Sequence, residues 1–191
     1  MKICVYGASA NEIRRSYLES GETLGRLMAD RGHGLVFGGG GQGMMGATAR
    51  GITERGGYCL GVAPSFFNVD GVLFERCTEF IYTETMRERK QIMEERSDAF
   101  VMTPGGIGTF EEFFEILTLK QLGRHNKPIA ILNTDGYYDD MAHMLRTTVE
   151  EGFMKPACLE LYGVFSEPET LLDYLESDQA AAIDVRHLKN I

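Results

Sequence analysis

Residues 99–112, AFVMTPGGIGTFEE, decide the fold. The first four form an apolar run typical of a short buried strand, which a proline and three glycines then interrupt. From residue 109 to residue 122, apolar side chains recur with the spacing of a helix. Strand, glycine turn and helix in this order form the unit from which parallel sheets are built.

The same alternation runs through most of the chain. Predicted strands cover residues 3–6, 35–37, 58–62, 80–82, 99–102, 128–132 and 161–165, and predicted helices cover residues 11–30, 85–96, 109–122, 137–151 and 168–175. A glycine-rich segment, residues 38–57, begins as a loop and continues as a helix. The pattern predicts one α/β domain, residues 1–176, with a doubly wound, mostly parallel sheet flanked by helices, and a weakly patterned tail, residues 177–191.

Composition excludes several classes of protein. A net charge of -9 over 191 residues argues against a general nucleic-acid binder, which needs a basic face. No apolar run reaches the length of a membrane span, and the first strand is too short for a signal peptide. The four cysteines lack the spacing of metal ligands, so we expect no metal site and free thiols in a reducing compartment, the cytoplasm.

The glycine loop at residues 103–109 is predicted to hold a phosphate. Glycines let backbone N–H groups approach a ligand closely, and the start of a helix favours negative charge. Glu112 lies one turn into the same helix, where a carboxylate would repel a phosphate unless it has its own task at the reactive centre. The alternative is a capping box, in which Glu112 reaches back to the N–H of Thr109 at the helix start.

A second glycine loop, FGGGGQGMMG at residues 37–46, follows the second predicted strand. It matches the dinucleotide fingerprint GxGxxG only formally, because it does not follow the first strand and no acidic residue ends the next one. Neither loop contains Gly-Lys-Ser/Thr, so no P-loop and no cofactor is predicted. The loop is either a tight turn that allows close packing or, with the first loop, a wall of one pocket at the carboxyl ends of the strands.

The helix at residues 85–96 carries two cations that break its pattern. Met86 and Met93 lie seven residues apart and predict the face turned toward the sheet, and Arg89 and Lys90 fall between them. Either the two side chains snorkel to water, or they form an anion site in which Arg89 makes forked contacts and Lys90 supplies a point charge.

These motifs together resemble a known family. TPGGIGTFEE fits the pattern PGGxGTxxE, MRERKQIM resembles a segment M-x-E-R-K, and FGGGGQGMMG is similar to a loop FGGGxxGLMG. All three belong to the LONELY GUY family of cytokinin-activating phosphoribohydrolases, long mislabelled lysine decarboxylases. The resemblance covers residues 2–176. It implies a Rossmann-like fold, a homodimer, and hydrolysis of the N-glycosidic bond of N6-modified adenosine 5'-monophosphates to free base and ribose 5-phosphate.

The resemblance also implies roles for particular residues. Arg89 and Glu112 correspond to the catalytic pair of the family. The phosphate and sugar contacts correspond to Lys90, Gly105, Gly106, Ile107, Gly108, Thr109 and Thr118, and we add Ser9, Gly39, Gly43 and Met45 at the ends of the first two strands as expected substrate contacts.

Three further predictions concern the contact with the base, the assembly and the alternative function. Relatives often carry a glutamate near the adenine where this chain has Gly71, so the neighbouring Asp70 is a candidate substitute. The helix after Glu112 is apolar around much of its circumference, which predicts a partner subunit. The alternative function is that of a non-catalytic carrier of a nucleotide or of the molybdenum cofactor. Amino-acid decarboxylation is not predicted, because the sequence has no lysine in a recognisable pyridoxal-phosphate context.

Overall fold

One seven-stranded sheet organises the protein. The computed structural model describes residues 1–177, so the predicted tail lies, beyond its first residue, outside the described part. Strands β1 to β7 are Lys2–Tyr6, Gly34–Phe37, Cys59–Pro64, Glu79–Thr83, Ala99–Met102, Ile129–Leu132 and Gly163–Phe165. Their order across the sheet is β4-β3-β2-β1-β5-β6-β7, and every neighbouring pair is parallel. The predicted doubly wound parallel sheet is therefore confirmed.

Helices cover both faces of this sheet. Helices α1 to α6 are Arg15–Asp30, Gly43–Glu54, Met86–Glu95, Ile107–Gln121, Asp139–Glu150 and Pro168–Glu176, and short 3-10 helices cover Ser65–Phe67, Thr134–Gly136 and Pro156–Leu161. Side chains of α1, α2 and α6 join one apolar core, and those of α3, α4 and α5 join the other. Because successive strand residues point to opposite faces, alternate residues of the central strands feed the two cores.

Two helices at the carboxyl edge of the sheet begin at residues other than the predicted ones. Helix α1 begins at Arg15 rather than residue 11, because the preceding segment forms a loop in which the Asn11 side chain accepts a hydrogen bond from Gly43 N at 3.0 Å. Helix α4 begins at Ile107, two residues before the predicted start, with Gly106 as its extended N-cap residue. Both differences fall at the carboxyl edge of the sheet.

Glycines allow α1 and α2 to pack closely. A Cβ at Gly25 would overlap the carbonyl oxygen of Thr48, and a Cβ at Gly51 would overlap the carbonyl oxygen of Glu22. Close backbone approach of this kind requires glycine. It fixes the direction of α2 and therefore of the glycine loop that precedes it.

The strand order reverses direction at β1 and β5, which lie side by side. Their following loops meet there, because Ala8 N donates a hydrogen bond to the carbonyl oxygen of Pro104 at 3.1 Å. In doubly wound sheets, ligands bind at such a switch point. Within residues 1–177, none of the helices combines the length and apolar character of a membrane span, and no group of side chains is arranged to hold a metal ion.

Candidate active site

A buried ion pair lies at the carboxyl edge of the sheet. Arg89 Nη1 donates to Glu112 Oε1 at 2.6 Å, and Arg89 Nε donates to the carbonyl oxygen of Val62, at the end of β3, at 3.1 Å. The Arg89 side chain is 8% exposed and that of Glu112 12%. Burial at this level excludes snorkelling for Arg89. The predicted catalytic pair is thus brought into direct contact.

Glu112 is electrostatically unusual. Burial raises the pKa of its carboxyl group, and the adjacent Arg89 guanidinium opposes this effect without reversing it. The hydrogen bond from Arg89 goes to Oε1, and Oε2 makes no hydrogen bond to the residues that the structure describes. A carboxylate held on one side, with its second oxygen available, can orient a water molecule or face a developing positive charge.

The capping-box alternative for Glu112 is wrong. Because α4 already begins at Ile107, Thr109 lies inside the helix, where it is buried, and it does not cap it. A variant of the capping box forms instead at the start of α3, in which the residue before the N-cap supplies the second N–H group. There the Thr85 side chain accepts from Glu88 N at 3.1 Å, and the Glu88 carboxylate accepts from Glu84 N at 2.9 Å. This box fixes the first turn of α3, one turn before Arg89.

The glycine loop after β2 makes room for Arg89. A Cβ at Gly38 would overlap the Arg89 guanidinium, and Met45 Sδ lies beside the same position. Gly39 and Gly43 adopt positive φ angles of 76° and 58°. At Gly43, a Cβ would also overlap the carbonyl oxygen of Ala8. The interpretation as a tight turn that allows close packing is therefore confirmed, whereas a single pocket walled by both glycine loops stays a prediction.

The glycine loop after β5 presents the start of α4. Gly105 is buried and packed against Thr109, whereas Gly106, Ile107 and Gly108 are exposed. The first N–H groups of a helix have no acceptor within the helix, so those of α4 face outward at the switch point. An anion would meet these N–H groups and the positive end of the helix dipole.

Two predicted contacts lie apart from this cluster. The Lys90 ammonium group contacts Glu111, and it also contacts Glu115 at 2.7 Å, on the outer side of α4. Thr118 is exposed and lies 11 residues beyond the start of the helix, about 16 Å along its axis. Within one chain, neither residue contacts the glycine loops. Their predicted roles as substrate contacts stay predictions.

Two cavities flank the loop between β3 and β4. One of about 240 Å³ borders the loop after β2 and is lined by Ser9, Gly38, Gly40, Gln42, Phe67, Val72 and Leu73. The other, of about 220 Å³, contains Asp70 and shares Leu73 with the first. Ser9 and the Arg89-contacting Gly38 therefore face the same cavity. Asp70 faces a different one, and its predicted contact with a base stays a prediction.

Sequence reasoning missed several contributors to the site. The Val62 carbonyl oxygen, which fixes the Arg89 side chain, carries no signal in the sequence. Tyr137 and Tyr138 donate hydrogen bonds from their hydroxyl groups to the loop after β5, to the carbonyl oxygens of Gly105 and Thr103 at 2.8 and 2.7 Å. These contacts join segments more than 30 residues apart, so no local pattern could reveal them.

Solved structures with the same fold include molybdenum-cofactor proteins. The molybdenum cofactor binding protein of Rippkaea orientalis superposes with a TM-score of 0.71 at 22% identity, covering 92% of this chain and 94% of that one. The Moco carrier protein of Chlamydomonas reinhardtii gives a TM-score of 0.69 at 24% identity, covering 92% and 94%. At these identities the likeness concerns the fold alone.

Sequence relatives are closer. The profile of a family described as "Possible lysine decarboxylase" matches residues 45–175. A protein of Oryza sativa subsp. japonica, named a probable cytokinin riboside 5'-monophosphate phosphoribohydrolase, is 38% identical over 92% of this chain and 77% of its own length. A cytokinin riboside 5'-monophosphate phosphoribohydrolase of Arabidopsis thaliana is 34% identical over 92% of this chain and 82% of its own. With its three motifs and a buried arginine–glutamate pair in the expected place, the chain belongs to the LONELY GUY family.

Proposed function

We propose that this protein hydrolyses the N-glycosidic bond of adenosine 5'-monophosphates, including N6-modified ones, and releases the free base and ribose 5-phosphate. The observation that carries the proposal is the 2.6 Å contact between Arg89 and Glu112. Glu112 lies on α4, and the first turn of that helix contains part of the glycine loop after β5. A protein that only binds an anion has no need of a carboxylate beside it. Family membership supplies the substrate class.

The proposed chemistry assigns a separate task to each group. The N–H groups of Gly106 and the first turn of α4 hold the 5'-phosphate, which places the ribose beside Glu112. As the bond between the sugar carbon and the base nitrogen breaks, positive charge develops on the sugar ring, and the Glu112 carboxylate stabilises it. Glu112 also takes a proton from the attacking water, whose oxygen forms the new bond to the sugar carbon. The leaving base takes up one proton at its nitrogen from solvent, and Glu112 returns to solvent the proton that it took from the water.

Arg89 has two tasks in this proposal. It offsets the charge of Glu112, so that a phosphate can bind close by, and its planar guanidinium can donate to the phosphate or to the departing base. The raised pKa of Glu112 brings the basicity of its carboxylate nearer to neutral pH, where a general base works best.

The test is a panel of nucleoside 5'-monophosphates incubated with the purified protein, with liberated base measured by chromatography. We expect release from AMP and its N6-modified analogues and none from the matching nucleosides, which lack the phosphate. Release from nucleosides at the same rate would contradict the anchoring role of the glycine loop. Absence of release from every nucleotide would refute the proposal.

A homodimer in the cytoplasm completes the proposal. Helix α4 buries Phe113, Ile116 and Leu117, yet leaves Ile107 88% exposed and Phe114 38% exposed. Exposed apolar residues on a helix that already packs on the sheet support a second subunit on its outer side. Light scattering at micromolar concentration tests this, and a monomer would contradict it. The predicted absence of nucleic-acid binding rests on the net charge of -9.

A further inference from the structure

We infer that Tyr137 is a positioning residue, which holds the peptide between Gly105 and Gly106 with its N–H group directed at the anion. The inference rests on the proposed function for the identity of the anion. It concerns a side chain that contacts neither member of the buried ion pair. Its observable consequence is the affinity of the glycine loop for a phosphate.

Three consecutive carbonyl groups of this loop are each held by a hydrogen bond. Thr103 O accepts from the Tyr138 hydroxyl at 2.7 Å, and Pro104 O accepts from Ala8 N at 3.1 Å. Gly105 O accepts from the Tyr137 hydroxyl at 2.8 Å. Every carbonyl group from residue 103 to residue 105 of this glycine-rich loop therefore accepts a hydrogen bond from a residue outside the loop.

The planar geometry of the peptide bond determines where the N–H group of Gly106 points. In a planar trans peptide, the C=O and N–H groups point in opposite directions, and cis bonds do not occur in residues 1–177. Holding Gly105 O against Tyr137 therefore points the N–H of Gly106 away from Tyr137. That N–H donates to no acceptor among the described residues. It lies directly before the outward-facing N–H groups of α4.

Without the tyrosine, this peptide is free to rotate. Glycine adopts both signs of φ at little cost, and Gly105 and Gly106 flank the peptide on its two sides. A rotated peptide would turn its carbonyl oxygen, which is negative, toward the phosphate. The Tyr137 hydroxyl bond selects the orientation that donates rather than repels.

Several contacts hold the loop that carries Tyr137, a residue that is 42% exposed. Asn133 Oδ1 accepts from Tyr138 N at 2.6 Å, and Ser16 Oγ donates to Asp135 Oδ2 at 2.6 Å, which ties the loop before α5 to α1. The Tyr137 ring packs edge-on against the ring of Tyr17, with centroids 5.6 Å apart. Asp135 has a positive φ of 53°, which non-glycine residues seldom adopt. The loop before α5 is held by several hydrogen bonds and contains a residue with positive φ. These features indicate that Tyr137 positions the Gly105 carbonyl group and does not merely pack against its neighbours.

The test exchanges Tyr137→Phe, which keeps the ring and removes the hydroxyl. Tyr58→Phe is the matched control, because the Tyr58 hydroxyl also donates one hydrogen bond, to Glu79 Oε2 at 2.6 Å, and it lies at the amino ends of the strands, away from the glycine loops. In Tyr137→Phe we expect the Kd for inorganic phosphate and the KM for AMP to rise about tenfold, the scale of one hydrogen bond to a charged group. The kcat and the melting temperature should stay close to wild type.

The NMR resonance of the Gly106 amide distinguishes positioning from a merely structural role, because a merely structural role of Tyr137 would not alter the shift that phosphate induces in it. Phosphate should shift this resonance in wild type and in Tyr58→Phe, and shift it far less in Tyr137→Phe. Equal shifts in all three proteins, or no shift in wild type, would overturn the inference. An equal rise in the phosphate Kd in Tyr58→Phe would also overturn it. Phosphate titration needs no hydrolysis, so a wild type that binds phosphate and releases no base would refute the proposed function alone.

Discussion

Exchanging Glu112→Gln should separate catalysis from binding more sharply than any other single change. Glutamine keeps an oxygen that can accept from Arg89 Nη1, where Glu112 Oε1 now does so at 2.6 Å, but it removes the charge and the basicity. If the carboxylate stabilises the sugar cation and activates water, kcat should fall by about two orders of magnitude or more. The KM for AMP should change little, because the glycine loop is untouched.

The cost in stability can be worked out from the burial of the pair. Removing one partner of a buried ion pair costs about 3–5 kcal/mol, and a retained hydrogen bond should recover roughly half of that. Because the raised pKa of Glu112 already favours its uncharged form in the folded protein, we expect the free energy of unfolding to fall by at most about 2 kcal/mol, which corresponds to a melting temperature lower by no more than about 4–8 °C for a chain of this size. The variant should therefore still be folded at 25 °C.

The neighbouring Glu111→Gln is the matched control. It is the same exchange one residue earlier on the same helix, but the Glu111 carboxylate is 53% exposed and contacts Lys90 rather than Arg89. An exposed pair of this kind contributes less than about 1 kcal/mol. Base release from AMP should stay at the wild-type rate in this variant. If Glu112→Gln also turned over at a rate close to wild type, the catalytic assignment of Glu112 would be refuted.

Further expectations concern the pH dependence of activity and stability, the room for the Arg89 side chain at Gly38, and the reactivity of the cysteine thiols. Because burial raises the pKa of Glu112 and the carboxylate is the reactive form, kcat/KM should fall as the pH drops through a midpoint above the ordinary 4.5. Since the native state binds this proton more tightly than the unfolded state, ionisation of Glu112 should lower the free energy of unfolding as the pH rises through that midpoint, which pH-dependent denaturation measures. Gly38→Ala should displace the Arg89 guanidinium and lower kcat at least about tenfold while circular dichroism stays unchanged. Iodoacetamide should alkylate Cys77 first, because a hydrogen bond from the Cys59 thiol, 4.0 Å away, lowers the pKa of Cys77, and peptide mapping that found Cys59 modified first would contradict this.

Local patterns in the sequence predicted the sheet and both glycine loops. Parallel strands buried on both faces are nearly continuous apolar runs, and these are visible without a structure. The boundaries of α1 and α4 could not be predicted as well, because both helix starts depend on the loop at the switch point. Asn11 is drawn out of the predicted helix by its contact with Gly43, a residue 32 positions away.

The two adjacent cations show where such reasoning reaches its limit. Arg89 lies one turn before the buried Met93, so its inward direction follows from helical spacing. Lys90 is rotated about 100° further around the helix, which sends it toward the carboxylates of α4 instead. The expectation that Met86 would share the buried face was wrong, because it lies at the first position of α3 and is 43% exposed. Helical spacing predicts the direction in which a side chain points. It does not predict whether the sheet extends far enough to cover a residue at the end of the helix, such as Met86.

The ion pair also resolves the electrostatic conflict of an acid beside a phosphate. Glu112 lies five residues beyond the first residue of α4, about 8 Å along the axis. At an effective dielectric constant of about 20, that distance gives about 2 kcal/mol of repulsion per unit charge, or about three orders of magnitude in affinity for a dianion. The contacts of Lys90 with Glu111 and Glu115 already offset most of its charge, so the task falls mainly to Arg89, which directly contacts Glu112. In the proposed mechanism, the arginine therefore makes it possible for one helix to hold both the anchor of the substrate and the acid that acts on it.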